Sequence, residues 1–222
     1  MKYVGQSIER VDAIRKVTGQ AQYVGDFHMP RMLYAQVKRS PYPHAKIISI
    51  DVSKAEKLPG VRAVITGEWY TKRCGLYLED KNFLANKTVK YQGEAVAAVA
   101  AETAEIAQEA CDLIEVVYEE LPAVTNAIDG MKPDAPLIHP DLHTYKVAPI
   151  FFPKPHTNIS HHYKLRKGDV DKAFKECDYV AEHTYYIPHV QHVPLEPHVA
   201  IAQYEYDLSL IHISEPTRHA QI

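Results

Sequence analysis

Cysteine is scarce in this chain of 222 residues: Cys74, Cys111 and Cys177 are far apart and odd in number. Such a set offers no disulfide framework and points to a reducing compartment. It also supplies too few thiolates for an iron–sulfur cluster of the usual kind, which places any such electron carrier outside this sequence. Glycine is thin as well, with 9 residues. Neither G-x-G-x-x-G nor G-x-x-x-x-G-K-[ST] occurs, so nothing supports a glycine loop around phosphates. No sign of charge dominates: 25 Lys and Arg against 28 Asp and Glu leave a net charge of -3. That balance gives no electrostatic reason to expect nucleic acid or an anionic membrane as partner. No apolar run reaches the length of a membrane span, and the opening MKYVGQSIERVDAIRK lacks the apolar centre of a signal peptide. The expectation is a cytoplasmic protein. G-x-S-x-G is missing too, and no cysteine sits where a low thiol pKa would be expected.

What is present is patterned as α+β. Residues up to about Tyr23 are polar, with Gly5 and Gly19 as turn points, and predict an extended lead-in. Met32–Arg39 and Lys46–Val52 alternate as strands do, around the Pro-rich turn SPYPHA. A short helix is expected over Ser53–Leu58, stopped by Pro59-Gly60, and a strand over Val61–Thr66. The run Glu94–Ala101 (EAVAAVAA) is apolar without alternation, which suits a strand buried on both faces. Gly93 before it reads as a point of close backbone approach. Thr103 stands as an N-cap, and Ile106, Ala107, Ala110 and Ile114 recur on one helical face. A strand follows over Ile114–Tyr118. Residues 126–159 carry Pro, His and Asp with little periodicity and read as a long connection. Beyond them Asp169 should cap a short helix whose inner face is Val170, Ala173, Phe174 and Cys177. Strands are expected over Tyr179–Ile187 and Val199–Tyr206.

The loop between those last two, PHVQHVPLEPH, holds His189, His192, His198 and Glu196 within a short span. Zinc takes such ligands, but Pro188, Pro194 and Pro197 scatter side-chain directions, so a surface loop is the stronger reading and no metal site is assigned. His161-His162 reads as a solvated lead into a strand. Glu79-Asp80 and Glu119-Glu120 are neighbours in sequence and would point to opposite faces of a strand, which suits surface charge better than a catalytic pair.

Four runs resemble, in order and spacing, the large subunit of the molybdenum hydroxylases, the family of xanthine dehydrogenase, aldehyde oxidoreductase and carbon monoxide dehydrogenase. They are VGQSIERVDAIRKVTGQAQYVGDF, LYAQVKRSPYPHAKIISIDVSKAEKLPGVRAVIT, YQGEAVAAVAAETAEIAQEACDLIEVVYEELPAV and KGDVDKAFKECDYVAEHTYYIPHVQHVPLEPHVAIAQYE. The resemblance implies an α+β chain with an α/β-hammerhead domain over 17–125 after a lead-in over 1–16. A linker over 126–159 and the start of a truncated molybdopterin-binding domain over 160–207 would follow. It implies hydroxylation of an aldehyde, purine or other N-heterocycle with water as oxygen donor. The implied cofactor is molybdenum on molybdopterin, in the plain or cytosine dinucleotide form. An iron–sulfur small subunit with [2Fe-2S] clusters and an FAD-binding medium subunit are the implied partners. Gln191-His192 through Leu195-Glu196 matches the family's Glu/Gln-His-x-x-Leu-Glu run, so Gln191, His192 and Glu196 are the implied cofactor contacts. Val190 stands where xanthine dehydrogenases often carry a glutamine, a departure from a xanthine-type pocket. The family's general-base glutamate lies far downstream, so no catalytic residue is assigned and this stretch alone should be inactive.

The tail is of another kind. Leu208 to Arg218 (LSLIHISEPTR) is the in-frame translation of a common transposase sequencing adapter, so residues 208–222 are expected to be appended sequence with no partner strand. Two other functions compete with the hydroxylase: a stand-alone, non-catalytic hammerhead module for interaction or assembly, and a histidine metal-binding protein.

Overall fold

The structure is a computed structural model that describes residues 4–195, 198–205 and 209–214. In chain order it holds helix α1 (Ala13–Val17), strands β1 (Tyr34–Arg39) and β2 (Ala45–Asp51), helix α2 (Ser53–Glu56) and strand β3 (Val61–Thr66). Three two-residue strands follow: β4 (Arg73–Cys74), β5 (Lys81–Asn82) and β6 (Thr88–Val89). Then come β7 (Ala95–Ala101), α3 (Ala104–Leu113), β8 (Glu115–Glu120), α4 (Ala127–Gly130), α5 (Val170–Glu176), β9 (Ala200–Glu205) and β10 (Ser209–Ser214). The chain divides into a unit over Arg31–Asp178 and a second over Met1–Pro30 with Tyr179–Ile222.

The first unit is built on β7. It lies between β1 and β3 in a three-stranded sheet, antiparallel to both. Both its faces are covered. Ala97 and Val99 join Ala55, Ala110, Cys111 and Ile114 in one cluster, while Val96 joins Ala45, Ile47, Ala85 and Val89 in another. Strand alternation sends neighbouring side chains to opposite faces, so an apolar run without polar interruption is what this place demands. The small alanines let α3 lie close across β1 and β7. Thr103 caps α3, its Oγ1 accepting from the Ile106 N–H at 3.3 Å. Helix α3 then leads into β8, which pairs with β2 in a separate sheet ordered β6-β2-β8. In that ladder Lys46 faces Glu119, and their side chains approach to 3.6 Å as a cross-strand surface pair.

Gly93 is needed for a different reason than close approach. A Cβ there would meet nothing within 4 Å, but φ is +85°, a left-handed turn that other residues enter at a cost. That turn aims the Gly93 carbonyl at Arg39 Nη1, 2.9 Å away.

The stretch 126–159 is not a slack connection. Leu142 and Tyr145 are buried against Leu78, and the Glu79 carboxylate pairs with Lys146 at 2.9 Å. Asn158 staples the strap to itself. Its Nδ2 donates to the carbonyls of Gly130 and Pro136, and its Oδ1 accepts from the Ile138 N–H. His161 is likewise drawn in, stacked on Phe151 at 4.2 Å and accepting from the Phe152 N–H. These contacts join residues far apart in sequence, which is why periodicity did not show them.

The second unit corrects several expectations. The lead-in is not wholly extended: α1 forms where Asp12 pairs with Arg10 and, one turn on, with Lys16. Tyr179–Ile187 forms no strand, because no described segment pairs with it, and Tyr185 and Tyr186 stand more than four-fifths exposed. Strand β9 does form, and contrary to expectation it has a partner. Residues Ser209–Ser214 pair with it antiparallel, from Ser209 opposite Glu205 to Ser214 opposite Ala200. An open strand edge accepts any segment of suitable β pattern, and Ser-Leu-Ile-His-Ile-Ser has one. Helix α5, which closes the first unit, is capped by Asp169 as expected, yet its supposed inner residues Val170, Phe174 and Cys177 are exposed. The apolar spacing was present; a surface to cover it was not among the described residues.

Candidate functional site

Gln191 and His192 lie within residues 188–195, which pair with no described strand, and both are exposed. Glu196 lies outside the described residues. Val193, one residue on, takes φ +26°, which is strained for a β-branched side chain and marks a sharp change of direction before Pro194. Among the described residues the run joins no sheet, which suits Pro188, Pro194 and this turn. Among the described residues no three His, Cys, Asp or Glu side chains come together as a metal site would need. Gln191 and His192 therefore offer polar groups in an open loop, and by themselves they do not close a cradle around a pterin.

A second set of polar groups was missed in the sequence. Arg73 lies over the Tyr145 ring at 4.1 Å, and the Tyr145 hydroxyl meets His139 Nδ1 at 3.0 Å. Burial, with Lys90 nearby, pushes His139 down to about 4. Burial also lowers Lys90 and raises Glu94, whose carboxylate accepts from the Lys90 N–H. Shifted groups of this kind mark active sites or structural networks. Here Arg73, Tyr145 and His139 tie the strap to β4, and Glu94 fixes the turn before β7 through the Lys90 N–H, both structural roles. A charged residue opening an apolar run, as Glu94 does, was the one signal available in the sequence. Membrane insertion finds no support in helix length: no described helix is long and apolar enough to cross a membrane.

Comparison with known proteins places these features. Residues 18–122 match the model for the aldehyde oxidase and xanthine dehydrogenase a/b hammerhead domain, and residues 151–221 match a molybdopterin cofactor-binding domain. The chain is 38% identical over 207 residues to the nicotinate dehydrogenase large molybdopterin subunit of Eubacterium barkeri, covering 91% of this chain and 44% of that one. It is 33% identical over 198 residues to the carbon monoxide dehydrogenase large chain of Afipia carboxidovorans, covering 87% of this chain and 24% of the relative. Among solved structures, quinoline 2-oxidoreductase from Pseudomonas putida 86 superposes with a TM-score of 0.77 at 30% identity, over 95% of this chain and 26% of that one. The chain thus spans less than half the length of the relatives it matches. Those relatives, and the order of the two matched domains, settle the family. The chain belongs to the molybdenum hydroxylases, with a hammerhead domain followed by the start of a molybdopterin-binding domain.

Proposed function

We propose that this chain is part of the large subunit of a molybdenum hydroxylase acting on an aldehyde, a purine or another N-heterocycle, with water as oxygen donor. One observation carries the reading: hammerhead and molybdopterin models match in that order within a single chain. The names of similar proteins include a nicotinate dehydrogenase, a quinoline 2-oxidoreductase and aldehyde oxidoreductases, which supports both the heterocycle and the aldehyde class. The hammerhead would occupy 17–125, the linker 126–159 and the start of the cofactor domain 160–207, with 208–222 as appended adapter sequence. When bound, molybdenum on molybdopterin, plain or as the cytosine dinucleotide, activates water for attack on an electron-poor carbon. Gln191, His192 and Glu196 would border that cofactor, the amide as donor and acceptor, the imidazole and carboxylate as orienting groups. The rest of the subunit would complete the site and supply the general-base glutamate, so the 222-residue stretch alone is inactive. Electrons would leave to [2Fe-2S] clusters on a small subunit and FAD on a medium subunit, in the cytoplasm.

The test begins with the source DNA, read through and beyond the Asp207 codon. The expected result is a continuing frame whose full product, with its partner subunits, contains molybdenum and places oxygen from isotopically labelled water in the product. A stop codon directly after genuinely encoded Leu208 to Ile222 would overturn this and leave a non-catalytic hammerhead module.

A further inference from the structure

His161 is the last residue of the first unit that is not exposed: every described residue from 162 to 200 lies open. Its ring is stacked on Phe151 at 4.2 Å, and Phe151 is stacked on Tyr77 at 5.7 Å. Tyr77 falls in the hammerhead match and Phe151 opens the molybdopterin match, so these three rings bridge the two. Phe152 lies beside the imidazole as well, at 5.8 Å.

Two hydrogen bonds at this ring close the backbone. The Phe152 N–H donates to His161 Nδ1 at 3.0 Å, and the His162 N–H donates to the Phe152 carbonyl at 3.0 Å. An N–H can only donate, so Nδ1 offers its lone pair and the neutral ring carries its proton on Nε2. A second proton has only Nδ1 to go to. It removes the acceptor, sets two N–H groups against each other and charges a ring that stands among cations. Lys154, with burial, Lys164 and His161, already holds the adjoining His162 imidazole below its ordinary range. The surroundings do little to offset that charge. Tyr77 and Tyr163 bring phenol rings, and Glu79, two residues beyond Tyr77, is engaged by Lys146 at 2.9 Å.

We propose that His161 is an acid-released clasp between the hammerhead and molybdopterin stretches. Neutral, it pins the outgoing chain to Phe152 and to the stack on Tyr77. Protonated, it lets go, and residues 161–168 become a free hinge ahead of α5. Histidine is the side chain whose charge changes closest to neutral pH, which suits it to such a switch. Asn158 keeps its own bonds to Gly130, Pro136 and Ile138, so the change is confined to the outgoing arm.

Nitrogen NMR on the isotopically labelled 222-residue chain tests this. Near neutral pH the His161 ring should carry its proton on Nε2, and the His161 and His162 amides should show order parameters of about 0.85. As the imidazole titrates, the Phe152 amide proton should move upfield. Both order parameters should fall below about 0.6 with the same midpoint as the ring, while the amides of β7 stay rigid. His161→Asn keeps a carbonyl oxygen near the place of Nδ1 but cannot titrate, so its arm should ignore pH whatever its degree of order. Three results would each overturn the proposal: a proton on Nδ1 near neutral pH, order that persists through the titration of His161, or the same pH response in His161→Asn. The last would assign the effect to another group, such as His162.

Discussion

Residues 31–178 and residues 179–205 have comparable shares of apolar side chains but treat them oppositely. Among the described residues every buried hydrophobic except Ile201 lies in the first stretch, whereas Tyr179, Tyr185, Tyr186, Ile187, Val190 and Leu195 all stand in the open. Composition and local alternation do not separate the two. What separates them is a partner: β7 is flanked by β1 and β3, while the run from 179 to 195 has no described strand beside it. A sequence pattern states which face would be buried, and only a neighbour buries it.

The widest gap between the two regions should appear in hydrogen exchange. Amides of β7 should exchange only through opening of the whole unit, and those of 179–195 at nearly free-chain rates. Limited proteolysis should cut the same run first, and a resistant core extending through it would erase the contrast.

Single substitutions sharpen it. Ile114→Ala removes a side chain that is 2% exposed and should cost about 3 kcal/mol in urea unfolding, whereas Ile187→Ala should stay within about 0.5 kcal/mol. Equal effects would mean that the run is covered in solution.

Acid probes the strap. The folded chain holds His139 at about 4, while unfolding returns it to an ordinary 6.5. As pH falls from 6.5 toward 4 the unfolded state takes up a proton that the folded state refuses, so stability declines across that window. Above it both states are neutral and nothing changes. With allowance for partial exposure the decline is on the order of 2 kcal/mol. His139→Asn should flatten the profile, and an unchanged slope would assign the effect elsewhere.

Losses at hydrogen-bonding side chains run from a similar size downward. Asn158→Ala should destabilise the first unit by about 2 kcal/mol, since it strands the Ile138 N–H and two carbonyls. Thr103→Ala should cost about 1 kcal/mol. Asp169→Ala, at the cap of a helix with no buried residue, should change global unfolding least of all, which thermal melts would show.

The sequence was most readable where local rules and burial agree. The apolar run of β7, the Thr103 cap and the spacing along α3 all specify the same structure, and they form the centre of the first unit. Tyr179–Ile187 misleads because alternation cannot say whether a partner strand exists. The Arg73–Tyr145–His139 network was invisible because it joins β4 to a strap about seventy residues away, and nothing in either segment announces the other. Gln191, His192 and Glu196 were never legible as chemistry from their own neighbourhood. They stand as proposed contacts through resemblance, and the open loop that holds the first two explains why local physics was silent.

The pairing of β9 with β10 has a practical side for anyone handling this protein. A strand whose edge zips up with six residues of alternating pattern will do the same with other alternating segments, including affinity tags and linkers fused after residue 205. A fusion that begins with proline and charged residues would not compete for that edge, whereas a β-patterned one would.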